Sequence, residues 1–279
     1  MRRKTEKKGF TILEVMLFLA ITGLMLIGVI GGTYSAIASQ RYTDSVRSFA
    51  EFLRQTYAEV ISPETLKEQG GNDNELAIYG KAIVFGADGA SSDTKDDHIY
   101  TVTLVGSAEV PSTQKTTSSD PATALSDVGL KFLCEGTISG AASTVTNYAI
   151  PWQAKVMAPK GDTKPDSGAE KEDFKGTVII ARTPGSGAVH TLYAKDYQPY
   201  GIKENNCNSY NETGPSAGND SITKQLSTGK FKYNAINFCI KEDQSSNTSR
   251  MRDIRLAEDG RNTSAISLID LDGEDSWCR

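Results

Sequence analysis

The sequence predicts an α+β fold: one long N-terminal helix laid against a mainly antiparallel sheet. Three observations predict it. Residues 10–30, FTILEVMLFLAITGLMLIGVI, are apolar except for Glu14. Apolar residues then recur at helical spacing as far as Val60, and Pro63 follows. Beyond it, short alternating apolar runs are separated by polar stretches. A chain of 279 residues has room for one sizeable domain plus an anchor, or two small domains.

The first run has the length of a membrane span. A helix over residues 10–30 measures roughly 30 Å, the thickness of a bilayer core. Residues 1–9 carry Arg2, Arg3, Lys4, Lys7 and Lys8 against a single acid, Glu6. Such a basic cluster stays on the cytoplasmic side, which places the body outside the membrane. Glu14 requires a reason, because a carboxylate in hydrocarbon is costly and such residues are usually functional. The plain reason is position: near a helix start, the helix dipole and the interface soften the cost. The sharper reason is a partner charge. A cut between Gly9 and Phe10 frees an α-amine and makes Glu14 the fifth residue of the mature chain. In a stack of copies, the carboxylate of one then reaches the amine of the next.

The helical pattern continues past the apolar run. Ile37, Tyr42, Val46, Phe49, Leu53, Tyr57 and Val60 form one stripe, mostly at three- and four-residue steps. Arg41, Asp44, Arg47, Glu51, Arg54 and Glu59 fill the other faces. Pro63 ends the helix soon after Ser62. A single helix over residues 10–62 is roughly 78 Å long. Its first half suits lipid, and its second half lays the stripe on a globular domain of residues 63–279. Gly23, Gly28, Gly31 and Gly32 suit close packing between membrane helices, or mark a weak segment that stretches during assembly.

Strands are expected over 76–85, 98–105, 128–134, 147–157, 177–181, 189–193, 231–240 and 265–271. Several alternate well, as in Tyr100, Val102 and Leu104. Polar loops are expected over 86–97, 111–127, 159–175 and 204–229. Near the C-terminus, Glu258-Asp259-Gly260-Arg261 reads as a turn between a late strand and a final strand. Asn211, Asn219, Asn247 and Asn262 begin triplets of the N-glycosylation form, which arise easily by chance in so Asn-, Ser- and Thr-rich a chain.

No H-E-x-x-H or P-loop occurs, and no enzyme activity is expected. His98 and His190 lack second ligands at metal spacing and read as structural or exposed residues. Trp152 and Trp277 read as packing residues. Two acidic clusters, Asp93, Asp96 and Asp97, and Asp270, Asp272, Glu274 and Asp275, read first as solvated turns, and neither has an EF-hand order. The formal charge is −5, and loss of residues 1–9 takes it to −9, which argues against non-specific nucleic-acid binding. Cys134, Cys207, Cys239 and Cys278 form no C-x-x-C pair, so zinc is a poor fit and extracytoplasmic disulfides a better one. Four cysteines allow three pairings. Trp277-Cys278 suggests a pinned chain end, with Cys239–Cys278 and Cys134–Cys207 as one of the three.

A basic leader, then Gly9, then FTILEV and an apolar span resembles the N-terminal segment of type IV pilins and type II secretion pseudopilins. The resemblance covers roughly residues 1–60, about a fifth of the chain. It implies cleavage after Gly9 by a prepilin peptidase, methylation of Phe10, and subunit docking by Glu14. It also implies a pilin-like body and three classes of partner: other pilin subunits, the peptidase and an inner-membrane assembly platform. Lipid surrounds the helix before assembly, and the assembled product is a cell-surface filament. The residues RDIRLAEDGRNTSAISLID resemble the ends of H-type minor pseudopilins and related minor pilins. Some pseudopilins bind calcium near the C-terminus, which makes Asp270, Asp272 and Asp275 the calcium candidates. The expected function is a structural subunit, of the minor class. A filament-tip binding module for adhesion or DNA uptake is the alternative. A second processing signal, Ala36-Ile37-Ala38, predicts a secreted protein beginning at Ser39. The length of the apolar run, its interruption by Glu14 and the helical pattern beyond the cut weigh against it.

Overall fold

Fifty residues without a proline form the first element, helix α1, Ile12–Ile61. At 1.5 Å per residue it is about 75 Å long. The computed structural model describes residues 11–61, 76–86, 98–108, 120–133, 145–157, 174–184, 186–195, 197, 199, 221–242, 251–260 and 265–269. The chain divides into two compact units, Met1–Asp44 and Ser45–Arg279, so each holds part of α1.

In the first unit the apolar side chains from Ile12 to Ile30 are exposed apart from a half-buried patch around Thr22 and Gly23. The hydroxyls of Thr22 and Thr33 donate to carbonyls one turn back, on Phe18 and Val29, both at 2.9 Å. The helix thereby satisfies these polar groups from within, as an apolar surrounding requires. Ile37 was expected in the buried stripe. It is instead about half exposed and belongs with the apolar surface of this unit.

In the second unit Val46, Phe49, Leu53, Tyr57 and Val60 are buried, as their spacing predicts. They meet a large antiparallel sheet. Its strands are β1 (Leu76–Phe85), β2 (His98–Ser107), β3 (Lys131–Phe132), β4 (Thr146–Ala149), β6 (Gly176–Arg182), β7 (Val189–Lys195), β8 (Lys232–Tyr233) and β11 (Asp259–Gly260). The order is β11-β7-β6-β1-β2-β3, with β4 also on β2 and β8 also on β7. Each outer strand is thus covered by two short ones, which blunts the edges against pairing with other chains. A smaller sheet has the order β12-β10-β9-β5, from β5 (Lys155–Met157), β9 (Ile236–Lys241), β10 (Met251–Leu256) and β12 (Ile266–Ile269).

Aromatic rings join α1 to both sheets. Phe49 packs edge-on against Phe238 of β9 at 5.6 Å and against Phe85 of β1 at 6.5 Å. Phe174 stands at 90° to Phe85, 4.7 Å away. Phe52 stacks on Tyr148 of β4 at 4.1 Å, and Ser48 holds the Tyr148 hydroxyl at 3.0 Å. Burial raises the pKa of that phenol against the opposing effect of the Ser48 hydrogen bond, which keeps it neutral. A fully buried ring contributes about 2–3 kcal/mol relative to an exposed one.

The opposite face of the large sheet carries two short helices where polar loops were expected. Helix α2 (Pro121–Asp127) lies in the 111–127 stretch and α3 (Ile222–Ser227) in the 204–229 stretch. Asp120 caps α2 by accepting from the backbone N–H groups of Ala122 and Thr123, both at 3.3 Å, and Pro121 fills the first turn. Leu125 and Leu226 then close a core with Val102, Leu104, Ile179 and Leu192.

Several predicted strands are shorter than expected. The 128–134 run starts with a turn at Val128-Gly129, where Gly129 takes φ 64°, and only Lys131–Phe132 pairs. The 147–157 run breaks at Pro151, and its halves join different sheets. The 231–240 run breaks likewise between β8 and β9. Asp259-Gly260 is not a tight hairpin turn. It pairs with His190 and Val189 of β7, while β10 and β12 pair with each other in the smaller sheet. The segment therefore stitches the two sheets together, helped by the Thr191 N–H donating to the Glu258 carbonyl at 2.9 Å.

Candidate functional site

The first turn of α1 presents the one acid of the apolar segment. The backbone N–H of Glu14 is held by Thr11, by its carbonyl at 3.1 Å and its hydroxyl at 3.3 Å. This fixes the helix start three residues ahead of the carboxylate, whose side chain stands exposed. Around it Ile12, Leu13, Leu17 and Phe18 are also exposed. By length and composition α1 is able to cross a membrane. An acid on such a surface needs a cation or a hydrogen-bond donor from outside its own helix. Gly9 and Phe10 lie outside the described residues. Gly23, Gly28, Gly31 and Gly32 have open space where a side chain would stand. Nothing among the described residues therefore demands glycine there.

Cys239 is fully buried in β9 and disulfide-bonded. Its partner, like Cys134, Cys207 and Cys278, lies outside the described residues, so the pairing stays among the three alternatives. Directly across the ladder from Cys239 is Asp253 of β10, an equally buried carboxylate. Sequence reading passed over Asp253, because a single Asp in RDIRLA looks like an outward-facing strand residue. The calcium candidates Asp270, Asp272 and Asp275 lie outside the described residues, as do Asp93, Asp96, Asp97, Trp277 and the four glycosylation-type asparagines. Among the described residues no three metal-ligating side chains gather. His190 faces the Tyr233 hydroxyl at 3.3 Å, a structural contact between β7 and β8.

Trp152 differs from its expected role. It was read as a packing residue, but it is 56% exposed. Its backbone is left-handed, φ 61° and ψ 28°, within the short turn Pro151–Gln153 that divides β4 from β5. Among the described residues it is the one non-glycine with positive φ. The preceding carbonyl, on Pro151, accepts from the hydroxyl of buried Ser45 on α1 at 2.7 Å. The proline was the only signal in the sequence, since it forbids a continuous central strand.

Set against protein-family models, curated proteins and solved structures, the chain shows no match.

Proposed function

We propose that this chain is a structural subunit, of the minor class, of a type IV pilus or type II secretion-like filament. Its body would be a pilin-like one, in which the second half of a long helix lies on an antiparallel sheet. The observation that carries the reading lies in the first thirty residues: a basic leader ending in Gly9, then Phe10 and a segment over residues 10–30 that is apolar except for Glu14. Cleavage after Gly9 converts a membrane anchor into an assembly helix whose new α-amine lies one turn from Glu14. Lipid covers the exposed apolar residues before assembly, and neighbouring copies cover them afterwards. Burying that surface between helices supplies the affinity, and pairing of Glu14 with a neighbour's amine sets the register. The continuity of α1 through Ala36-Ile37-Ala38 supports this reading over release at Ser39, because a cut there would divide the helix.

Glu14→Ala tests the role of the carboxylate. The variant is expected to accumulate in the membrane at normal levels, because removing a charge from an apolar helix does not weaken the anchor. Its recovery in sheared filaments should fall about tenfold or more. Recovery equal to that of the parent would refute the role.

A further inference from the structure

Cys239 and Asp253 share one face of the smaller sheet. Phe238 points toward Phe49 of α1, so the next residue on β9, Cys239, points to the opposite face. Asp253 is its direct partner in the antiparallel ladder and lies on that same face. Residues so paired have Cβ atoms about 5 Å apart. Both are 0% exposed, and Cys239 is disulfide-bonded. A carboxyl is costly to bury, and a disulfide needs no acid beside it for packing.

A disulfide with a fully buried sulfur meets a chemical difficulty when it opens. The electron pair of the broken bond goes to that sulfur, and a thiolate there would be a charge without water. The sulfur therefore needs a proton from inside the protein. Of the two strands that flank Cys239, β5 sets Met157 opposite it and β10 sets Asp253. Met157 has no proton to give. The charged groups of that face, Lys241 on β9, Lys155 on β5 and Arg255 on β10, stand two residues away along their strands and are less buried. Strand β12 adds Ser267 opposite Arg255 and Ile269 opposite Asp253. Among the described residues, Asp253 is thus the titratable group that faces the sulfur directly.

We infer that Asp253 is the proton-transfer partner of the Cys239 disulfide, which makes the pair a site of thiol–disulfide exchange in the folded chain. The inference stands apart from the filament reading. The reductant is a dithiol, attacking as its thiolate. It bonds to the sulfur of the other cysteine, and the S–S bond breaks. The electron pair goes to the Cys239 Sγ, which takes the proton of Asp253. The second thiol of the reductant then displaces that other cysteine, gives it a proton and leaves as a cyclic disulfide. Asp253 regains from solvent the proton that the reductant shed on forming its thiolate. Two electrons and two protons have then passed from the dithiol to the protein. Closure runs through the same steps in reverse, with the Asp253 carboxylate taking the Cys239 proton.

The test uses the full chain in detergent, opened by dithiothreitol at a series of pH values. Alkylation and peptide mass read the Cys239 thiol. Each rate is divided by that of oxidised glutathione at the same pH, which removes the titration of the reductant itself. Asp253→Asn keeps the shape of the side chain without its transferable proton. Its normalised opening rate should fall about a hundredfold, the lower end of general acid–base effects. Closure by oxidised dithiothreitol should slow by the same factor, because the same proton travels back. The normalised opening rate of the parent should fall as pH rises, and that of the variant should be flat. A merely structural Asp253 predicts the opposite sign, since loosened packing exposes the bond and speeds its opening. Opening of the variant as fast as the parent, or faster, overturns the inference. If Asp253→Asn fails to fold, the profile of the parent decides: a normalised rate that falls with rising pH upholds the inference, and a flat one overturns it.

Discussion

At the residue scale, single side chains fasten α1 to the sheet. Glu59, in its last turn, pairs with Lys81 of β1 and accepts from Gln55 at 3.0 Å. Burial alone would raise the Glu59 pKa, but the two hydrogen bonds and the Lys81 charge outweigh it, so the value is lowered. A carboxylate with a lowered folded value adds stability above its unfolded value and loses it as pH falls through the folded one. Because the pair is partly exposed, the contribution is small, about 0.5 kcal/mol. Lys81→Met should therefore raise the Glu59 pKa in an NMR titration and cost about 0.5 kcal/mol at neutral pH. The cost should fade in acid. A Glu59 titration unmoved by the substitution would show that Gln55 alone holds the carboxylate. Trp152 belongs to the same scale. The sequence gives no warning of it, because a non-glycine left-handed residue leaves no signature beyond the neighbouring proline.

At the scale of elements, the clearest constraint is the approach of β6 to β1. Residue Tyr79 bulges out of the ladder between Ile78 and Gly80, and its hydroxyl donates to the Ser107 carbonyl at 2.7 Å. Gly80 then faces Ala181 so closely that an added Cβ would lie 2.6 Å from the Ala181 Cα. Backbone cannot yield as a flexible side chain does, so Gly80→Ala should cost about 3 kcal/mol, at the upper end for overpacking. Chemical denaturation would show it as a lower midpoint with an unchanged slope. An equally stable variant would mean the strands separate freely there. Strand β1 matched its expected bounds because its apolar residues are dense and bounded by polar stretches. Helices α2 and α3 were missed for the opposite reason. Each is a single short element set in polar sequence and contributes only a few apolar side chains. Asp120-Pro121 did carry a helix-start signal, the cap and first-turn proline, but the surrounding Ser and Thr residues masked it. The double membership of the 147–157 and 231–240 runs was illegible because strand periodicity reports which face is buried, not which sheet a strand joins.

At the scale of the molecule, the chain combines two surfaces of different kinds. Residues 12–37 expose apolar side chains along a helix, whereas among the described residues beyond Ser45 only Trp152 and Leu268 are exposed large hydrophobics. The first surface was legible because a long apolar run and a lone acid need no tertiary context to be recognised. The body was legible only as a class, α+β, since partner sheets and crossovers depend on contacts far apart in sequence. We propose that the first surface is lipid-covered in the precursor and copy-covered after a cut at Gly9. Intact-mass and N-terminal sequencing of the protein recovered from cells tests this most directly. The predicted result is a mature chain beginning at Phe10 with a methylated amine, found with membranes and filaments. A soluble chain beginning at Ser39, or one that keeps residues 1–9, would contradict it.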